Sequence, residues 1–427
     1  MSALQNWLAR LERLHPTEIE LGLARVAAVA DTLGVQKPAP RVITVGGTNG
    51  KGSCVATMEA LLLAGDHTVG AYSSPHLLRF NERIRINGEE VSDAALVEAL
   101  EVVEAARGAT SLTYFEFTTL AALWLFQRAG VAFALLEVGL GGRLDAVNLV
   151  DADLAVITSV AIDHEAWLGS DREVIGREKA GILRPGSPFV CADPEPPFSV
   201  VSAAAGLAAQ SRFIGRDFTL EGDCYRWGGS GESAELLVRL PPVSLPKPSI
   251  AAAITALKIL DALPAGGPEA IVNAIAGIQL PGRCQQVTWR GRQLLIDVGH
   301  NPAAAGYLAR WLSDHPRAGR TVALVAAMAD KDLLGLLRPL AQQVSHWQPA
   351  QLPGNERAAT PSALRAALQQ AGVPSLSVGQ GDPAVGDALE TLVEGMQAED
   401  RLLVFGSFFT VAEVLQRVRD DRDGESA

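Results

Sequence analysis

Ten residues combine the groups that grip a phosphate: Thr44-Val45-Gly46-Gly47-Thr48-Asn49-Gly50-Lys51-Gly52-Ser53. A β-branched pair, Val42-Ile43, leads in, and Val55, Met58, Leu61 and Leu62 follow at helical spacing. A strand, a glycine-rich turn and a helix together present backbone N–H groups and a helix N-terminus to an anion, and a lysine adds a point charge. The strict Walker pattern is not met. Val45 stands at the first glycine position, and Gly52 separates Lys51 from Ser53. A glycine turn alone is usually structural; the strand, lysine and hydroxyl around this one turn the reading towards phosphate binding by residues 48–53.

Three further residues each sit just past an expected strand: Ser74, Glu137 and His164. A hydroxyl, a carboxylate and an imidazole suit a partly hydrated Mg²⁺ that also touches phosphate oxygens. A lone histidine at a strand end is more often a structural residue. A strand-end glutamate before glycine is harder to dismiss, because a buried carboxylate needs a partner. Lys179, in Gly176-Arg177-Glu178-Lys179-Ala180-Gly181, reads from the residues alone as part of a solvated helix face. Arg283 follows Pro281-Gly282 and is either an exposed linker arginine or one that reaches a nucleotide. Asp297-Val298-Gly299-His300-Asn301-Pro302 ends another strand, where Asp297 would orient a nucleotide and His300 a second substrate. Outside that context His300 is simply a residue at a helix start.

The elements that must position these groups follow from periodicity. Leu4, Trp7, Leu8, Leu11 and Leu14 share one helical face, and a second helix is expected from Pro16-Thr17-Glu18-Ile19 up to Gly34. Helices are expected over 92–106, with Ser92 as N-cap, and over 113–129. Strands are expected over 68–72, 133–138 and 154–160, nearly continuous in apolar residues. Strands of that kind alternating with helices predict a parallel sheet covered on both faces, whose ligands sit beyond the carboxyl ends of the strands. Past a helix around 173–180 the signal weakens, and 215–240 reads as hairpins. Helix 248–263 is alanine-rich. Leu280-Pro281-Gly282-Arg283 reads as a linker, after which the alternation restarts: strands over 293–298, 322–326 and 402–406, and helices from Pro302 and over 330–340, 361–371, 384–397 and 410–419. The polar tail from Asp420 is expected to fray. The fold class is therefore α/β: an N-terminal P-loop mononucleotide-binding parallel-sheet domain over 1–280, a linker over 281–288 and a smaller C-terminal Rossmann-like domain over 289–427.

Of the 427 residues, 48% are hydrophobic and 20% charged, which is globular, and the net charge is −12. No basic block offers a nucleic-acid surface. An anionic ligand must then be met by local lysines, arginines or Mg²⁺ against an unfavourable global field. The four scattered cysteines, with no CxxC, read as reduced thiols. Arg10, Glu12 and Arg13 interrupt what a signal peptide would keep apolar, and no apolar run is long enough to span a membrane. Cytoplasmic location follows by elimination, and a monomer is expected.

The motifs GTNGKGS, SSPHLLRFNERI, LEVGLGGRLDAVN, DHEAWLG, EKAGI, LPGRCQ and DVGHNPAAA occur in that order. Together they resemble the folylpolyglutamate synthase family, and more closely its bacterial bifunctional dihydrofolate synthase/folylpolyglutamate synthase members, over nearly the whole chain. The Mur peptide ligases are broader relatives. The resemblance implies that Thr48, Asn49, Gly50, Lys51, Gly52 and Ser53 hold ATP phosphates, and that Ser74, Glu137 and His164 bind Mg²⁺. It makes Lys179 a carbamylated lysine that helps bind a second Mg²⁺, and Arg283 and Asp297 nucleotide contacts. It places Glu20-Leu21-Gly22, Thr113-Tyr114-Phe115-Glu116 and Leu144-Asp145-Ala146 on the pterin side, and His300 and Ser407 towards the incoming glutamate. One position departs. The family's adenine-contacting asparagine is replaced by Pro248-Ser249-Ile250, so either Ser249 substitutes or the contact is lost.

The chemistry implied is ATP-dependent amide ligation through an acyl phosphate, with ATP, dihydropteroate, reduced folates and L-glutamate as substrates. Lys51, Lys179 and His164 are the expected catalytic groups, and Lys51, Arg83, Arg143 and Arg283 supply positive charge, Arg83 towards the folate. Three alternatives remain open. A folylpolyglutamate synthase without dihydrofolate synthase activity would share the whole site. A Mur-type ligase would need an N-terminal domain for its nucleotide-linked substrate, and only about forty residues precede the first strand. A non-enzymatic nucleotide switch would need neither metal ligands nor a second substrate domain.

Overall fold

The structure, a computed structural model, describes residues 2–15, 20–228 and 236–425 and falls into two compact units, Met1–Ile278 and Gln279–Ala427. The larger unit is built on eight strands: β1 (Arg41–Gly46), β2 (Val69–Tyr72), β3 (Ile84–Ile86), β4 (Glu89–Glu90), β5 (Phe133–Glu137), β6 (Leu154–Ile157), β7 (Pro188–Cys191) and β8 (Gln210–Phe213). Their order across the sheet is β4-β3-β2-β5-β1-β6-β7-β8. The run from β2 to β8 is parallel, and β3 and β4 close one edge antiparallel. β5 and β6 are buried at every residue, and β1 at all but its first. That is why these strands read as unbroken apolar runs rather than alternating ones.

Helices α1 (Ala3–Leu11), α2 (Ala24–Leu33), α3 (Lys51–Ala64), α4 (Asp93–Arg107), α5 (Tyr114–Ala129), α6 (Glu165–Leu168), α7 (Arg172–Ala180), α8 (Phe198–Gly206), α9 (Lys247–Ile259) and α10 (Gly267–Ala276) complete the unit. Ser92 caps α4 as its sequence predicts, accepting from Ala95 N at 3.2 Å. Thr113 and Glu116 form a reciprocal capping box on α5. α3 is covered by the sheet on one side and by α9 on the other, so Met58, Leu61, Leu62 and even Thr57 are fully buried. The expected helix start at Pro16 lies outside the described residues, and α2 begins only at Ala24. The weak stretch after 180 contains two parallel strands and a helix that periodicity did not reveal. Beyond them, the hairpin reading of 215–240 corresponds to a three-stranded antiparallel sheet, β9 (Phe218–Glu221), β10 (Cys224–Trp227) and β11 (Leu236–Arg239), with 229–235 outside the described residues.

The smaller unit holds β12 (Gln285–Trp289), β13 (Arg292–Ile296), β14 (Thr321–Val325), β15 (His346–Pro349) and β16 (Arg401–Phe405), ordered β12-β13-β16-β14-β15, with only β12 antiparallel. Its helices are α11 (Pro302–Asp314), α12 (Leu333–Leu337), α13 (Pro361–Gln370), α14 (Val385–Gly395) and α15 (Phe408–Glu425). Two features differ from expectation. The segment 281–288 is not linker throughout, because β12 starts at Gln285. This edge strand buries only Val287 and Trp289 of its five residues, so it leaves no apolar run to read. The tail does not fray at Asp420: α15 continues to Glu425, and Asp421 accepts from Trp289 Nε1 at 3.0 Å and from Arg290 at 2.7 Å.

Candidate active site

Register brings the predicted groups of the larger unit to one rim. Val45 of β1 pairs with Glu137 of β5, Gly46 with Ile157 of β6, and Tyr72 of β2 with Leu136 of β5. The phosphate turn therefore leaves the central strand between Glu137 on one side and the 158–164 loop on the other. Gly47 adopts φ +145°, and a Cβ there would overlap Thr158 Oγ1, so no other residue fits. The turn is stitched to the loop after β6: Thr48 N donates to Ser159 O at 2.8 Å, Thr158 Oγ1 to Asn49 O at 2.8 Å, and Ala161 N to Thr48 Oγ1 at 3.0 Å. α3 then starts at Lys51 with no side-chain cap. Its first-turn N–H groups face the position an anion would take. Ser53 Oγ is buried without a hydrogen-bond partner among the described residues.

Glu137 is 3% exposed, and its Oε2 accepts weakly from Ser74 N at 3.4 Å. A Cβ on Gly52 would stand 3.5 Å from the same oxygen. The extra glycine of the turn thus lies against the glutamate, and Ser74, Glu137 and Ser53 form an oxygen-rich corner suited to a hard cation. His164 is exposed, holds a left-handed backbone (φ 53°) and starts α6 from the loop stitched to Thr48.

Lys179 corrects its solvated-face reading. It is 3% exposed, lies on the inner side of α7, and its Nζ donates to Gly47 O at 3.0 Å. Lys51 Nζ reaches the same carbonyl at 3.1 Å and Thr48 O at 3.3 Å. Burial, and then the Lys51 charge, pull the Lys179 amine down to about 7, against the opposing pull of Asp163 and Asp145. A large neutral fraction at physiological pH follows. Asp163 was not singled out from the sequence; it is buried, and its Oδ1 accepts from His164 N at 2.8 Å. Arg143, expected to add free charge at the site, is instead bound to Glu178 at 2.9 Å.

The pterin-side segments fall into two groups. Arg83 and the aromatic residues meet beside Ser74, where Ser73 N donates to Arg83 O at 2.9 Å. The Arg83 guanidinium lies 5.6 Å from the Phe80 ring centre and 5.5 Å from that of Tyr114. Its Nε donates to His76 Nδ1 at 2.8 Å. Among the described residues no carboxylate pairs with it, although the side chain is only 9% exposed. Burial, and then Arg83, push the His76 imidazole down to about 4, so it is a neutral acceptor. Tyr72 and Phe115, with ring centres 5.8 Å apart, extend the aromatic wall.

The second group is joined by a residue that sequence reasoning missed. Arg25 Nη2 donates to Glu116 Oε1 at 3.0 Å, and Arg25 also pairs with Glu20. Arg25 therefore ties Glu20-Leu21-Gly22 to Thr113–Glu116, with its own Nε buried and without a hydrogen-bond partner among the described residues. No motif around Arg25 signals this. Asp145, between Leu144 and Ala146, accepts from Leu140 N at 2.8 Å and Val147 N at 3.1 Å, and so braces the loop after β5. Burial raises its carboxyl to about 6. Ser249, at the start of α9, is buried against the phosphate turn: a Cβ on Gly50 would overlap its Oγ.

In the smaller unit, Asp297 and Ser407 follow the paired strands β13 and β16. Both Asp297 oxygens are engaged by backbone, accepting from Cys284 N at 2.8 Å and Gly299 N at 2.7 Å. Asp297 thus locks the segment carrying Arg283 against the strand end. Arg283 lies 5.4 Å from the Phe408 ring centre. The His300 ring faces Phe408 too, and its Nδ1 is 2.9 Å from Val298 O. Ser407 is buried and caps α15, exchanging hydrogen bonds with Thr410 at 2.7 and 3.0 Å. All four cysteines are free, and no helix among the described residues is long and apolar enough to cross a membrane.

Comparison with known proteins adds independent findings. Residues 282–408 match the family model "Mur ligase, glutamate ligase domain". The chain is 43% identical to the dihydrofolate synthase/folylpolyglutamate synthase of Escherichia coli K12, over 99% of this chain and 97% of that one. It is 38% identical to the Haemophilus influenzae protein of the same name, over 96% and 97%. Among solved structures it is similar to E. coli FolC in complex with DHPP and ADP (TM-score 0.91, 42% identity, 99% of each chain). It is also similar to the bifunctional enzyme of Yersinia pestis complexed with AMPPNP and an Mn ion (TM-score 0.89, 42% identity, 98% of each chain).

Proposed function

This chain belongs to the dihydrofolate synthase/folylpolyglutamate synthase family, and we propose that its rim residues carry out that family's reaction in the roles set out below. The protein is an ATP-dependent ligase that joins L-glutamate to dihydropteroate and to folate glutamates. The observation that carries the assignment of roles is the shared rim: an uncapped helix start after β1, a buried carboxylate at the end of β5, and a buried arginine in an aromatic box just before β3, whose antiparallel start lies beside the end of β2.

The γ- and β-phosphates of ATP lie on the backbone N–H groups of Gly50 to Ser53. Lys51, now on the Gly47 and Thr48 carbonyls, swings to the transferring phosphoryl group. Ser74, Glu137, His164 and the Ser53 hydroxyl fit a Mg²⁺ ion, which when bound neutralises phosphate charge. The pteridine packs on the partly exposed Tyr114 and Phe115, which the buried Tyr72 and Phe80 back, and Arg83 draws in a substrate carboxylate. A carboxylate oxygen attacks the γ-phosphorus in line and ADP leaves, giving an acyl phosphate. The glutamate amine adds to its carbonyl carbon and loses a proton, and phosphate departs with the former carboxylate oxygen. Lys51 supplies positive charge to both steps.

Lys179 captures CO₂ as its neutral amine, forming a carbamate and releasing a proton. A cation then becomes an anionic oxygen ligand beside Lys51. Its burial and lowered pKa support this. Glutamate is taken up by the smaller unit near His300 and Ser407, and the nucleotide by Arg283 and Asp297; for Asp297 and Ser407 the role is positioning, since their oxygens already serve backbone and cap. Ser249 supports the turn at Gly50 and makes no case for adenine contact. The free thiols fit a cytoplasmic enzyme, working as a monomer.

Glutamate-dependent ADP release, measured with dihydropteroate and with tetrahydrofolate, tests this reading. Turnover with both is expected. Turnover with tetrahydrofolate alone would leave a folylpolyglutamate synthase only, and turnover with neither would overturn the assignment.

A further inference from the structure

The smaller unit has an open cleft of about 370 Å³ at the end of its sheet opposite Asp297 and Ser407. Thr321 opens β14 and Arg401 opens β16, so the cleft sits where these strands begin rather than where they end. Arg317, Arg320 and Arg401 all line it, in a chain whose net charge is −12. Arg401 is 6% exposed. It donates to His315 O at 3.0 Å and to Thr321 Oγ1 at 3.2 Å, and lies 5.6 Å from the Trp311 ring centre. Among the described residues it has no carboxylate partner, and its Nε is buried with no hydrogen bond. A buried guanidinium without an anion is costly to keep. Burial, and then the charge of Arg317, hold its pKa below the usual arginine range.

The arrangement is built into the backbone. Arg401 N donates to Arg320 O at 2.8 Å, and Arg320 N to Asp400 Oδ1 at 2.8 Å. A Cβ on Gly319 would collide with the Glu399–Asp400 backbone, so the loop bearing Arg317 and Arg320 is pressed against the start of β16. Asp400, 2% exposed, is taken by Arg320 at 3.0 Å. Among the described residues only Arg320 of the three guanidiniums has a carboxylate partner, and Arg317 and Arg401 have none. A tetrahedral dianion matches that pair, and guanidinium forks bind its oxygens in pairs.

We propose that this cleft binds a phosphate-class dianion, either inorganic phosphate or the terminal phosphate of a nucleotide, through Arg401 and Arg317. The site is separate from the catalytic phosphate turn and does not depend on the ligase reading. Thermal unfolding of the full chain, with inorganic phosphate titrated at constant ionic strength against chloride, tests it. Lys51→Ala weakens binding at the catalytic turn and serves as the background. There a saturable phosphate-dependent rise in Tm is expected, with the apparent Kd weakened at least fivefold by Arg317→Gln and by Arg401→Gln. If Arg401→Gln does not fold, the exposed Arg317→Gln decides. A parallel titration with ADP lacking Mg²⁺ separates the two sources: an Arg317-dependent rise with ADP alone makes the ligand a nucleotide phosphate. No rise with either ligand in the Lys51→Ala background, or a rise that Arg317→Gln leaves intact, overturns the proposal.

Discussion

Replacing Arg83 with methionine should make the free protein more stable and the enzyme worse. The Arg83 guanidinium is 9% exposed, has no carboxylate partner among the described residues, and is compensated by one hydrogen bond to His76 and the faces of two rings. Desolvating such a cation costs several kcal/mol. Each ring returns about 1 kcal/mol and the hydrogen bond about 1.5 kcal/mol. With that cost taken as about 4.5 kcal/mol, a deficit of roughly 1 kcal/mol remains, and methionine, which fills similar volume without charge, removes it. Urea unfolding should therefore show Arg83→Met more stable by about 1 kcal/mol. In steady-state kinetics the variant loses a charge-assisted contact to the substrate carboxylate, about 2–3 kcal/mol, or roughly a 30- to 150-fold rise in KM for dihydropteroate. The KM for ATP should hardly move. A variant that is destabilised while KM for dihydropteroate stays within twofold would refute the reasoning and make Arg83 a structural residue of the aromatic cluster.

The His76 imidazole, at about 4 in the folded chain against 6.5 ordinarily, gives a pH prediction. Between pH 6.5 and 4 the unfolded chain takes up a proton that the folded one refuses, so stability falls with acidification by roughly 2 kcal/mol after allowance for solvent screening. His76→Gln, which keeps an acceptor for Arg83, should flatten urea-unfolding stability over that window, and an unchanged slope would count against the assignment. Gly47→Ala forces a Cβ onto Thr158 Oγ1 at φ +145°, and kcat/KM for ATP should drop at least about a hundredfold; near-normal kinetics would show that the turn does not hold phosphates. If Lys179 acts as a carbamate, activity in CO₂-free buffer should fall about tenfold and return with bicarbonate, whereas Lys179→Met should not respond. Wild-type activity indifferent to CO₂ would make Lys179 a plain buried amine.

The parts of this architecture legible in the sequence were those in which one physical demand dominates. Strands β1, β5 and β6 announce themselves because both faces are buried, and the turn at 47–53 because its glycines, lysine and hydroxyls stand together between a strand and a helix. β12 and β15 were not legible, since an edge strand with alternating burial and a short strand written His-Trp-Gln-Pro carry no apolar run. Lys179 was misread from local pattern because its helix is polar on every side but one. Its burial depends on Gly47, 132 positions earlier. Arg25 was invisible for a related reason: its partner Glu116 is 91 residues away, and nothing nearby marks the pairing. Asp297 and Ser407 stood out as strand-end residues, yet their oxygens bind backbone and helix cap, contacts that a strand-end position alone does not distinguish from ligand contacts.

The central claim is that a substrate carboxylate attacks ATP on the rim formed by the phosphate turn, Glu137 and Arg83. Dihydropteroate labelled with ¹⁸O in both carboxylate oxygens tests it most directly, with the released inorganic phosphate analysed by mass. The acyl phosphate route predicts one ¹⁸O in each phosphate formed with glutamate present. Glutamate-dependent product accompanied by unlabelled phosphate would contradict it.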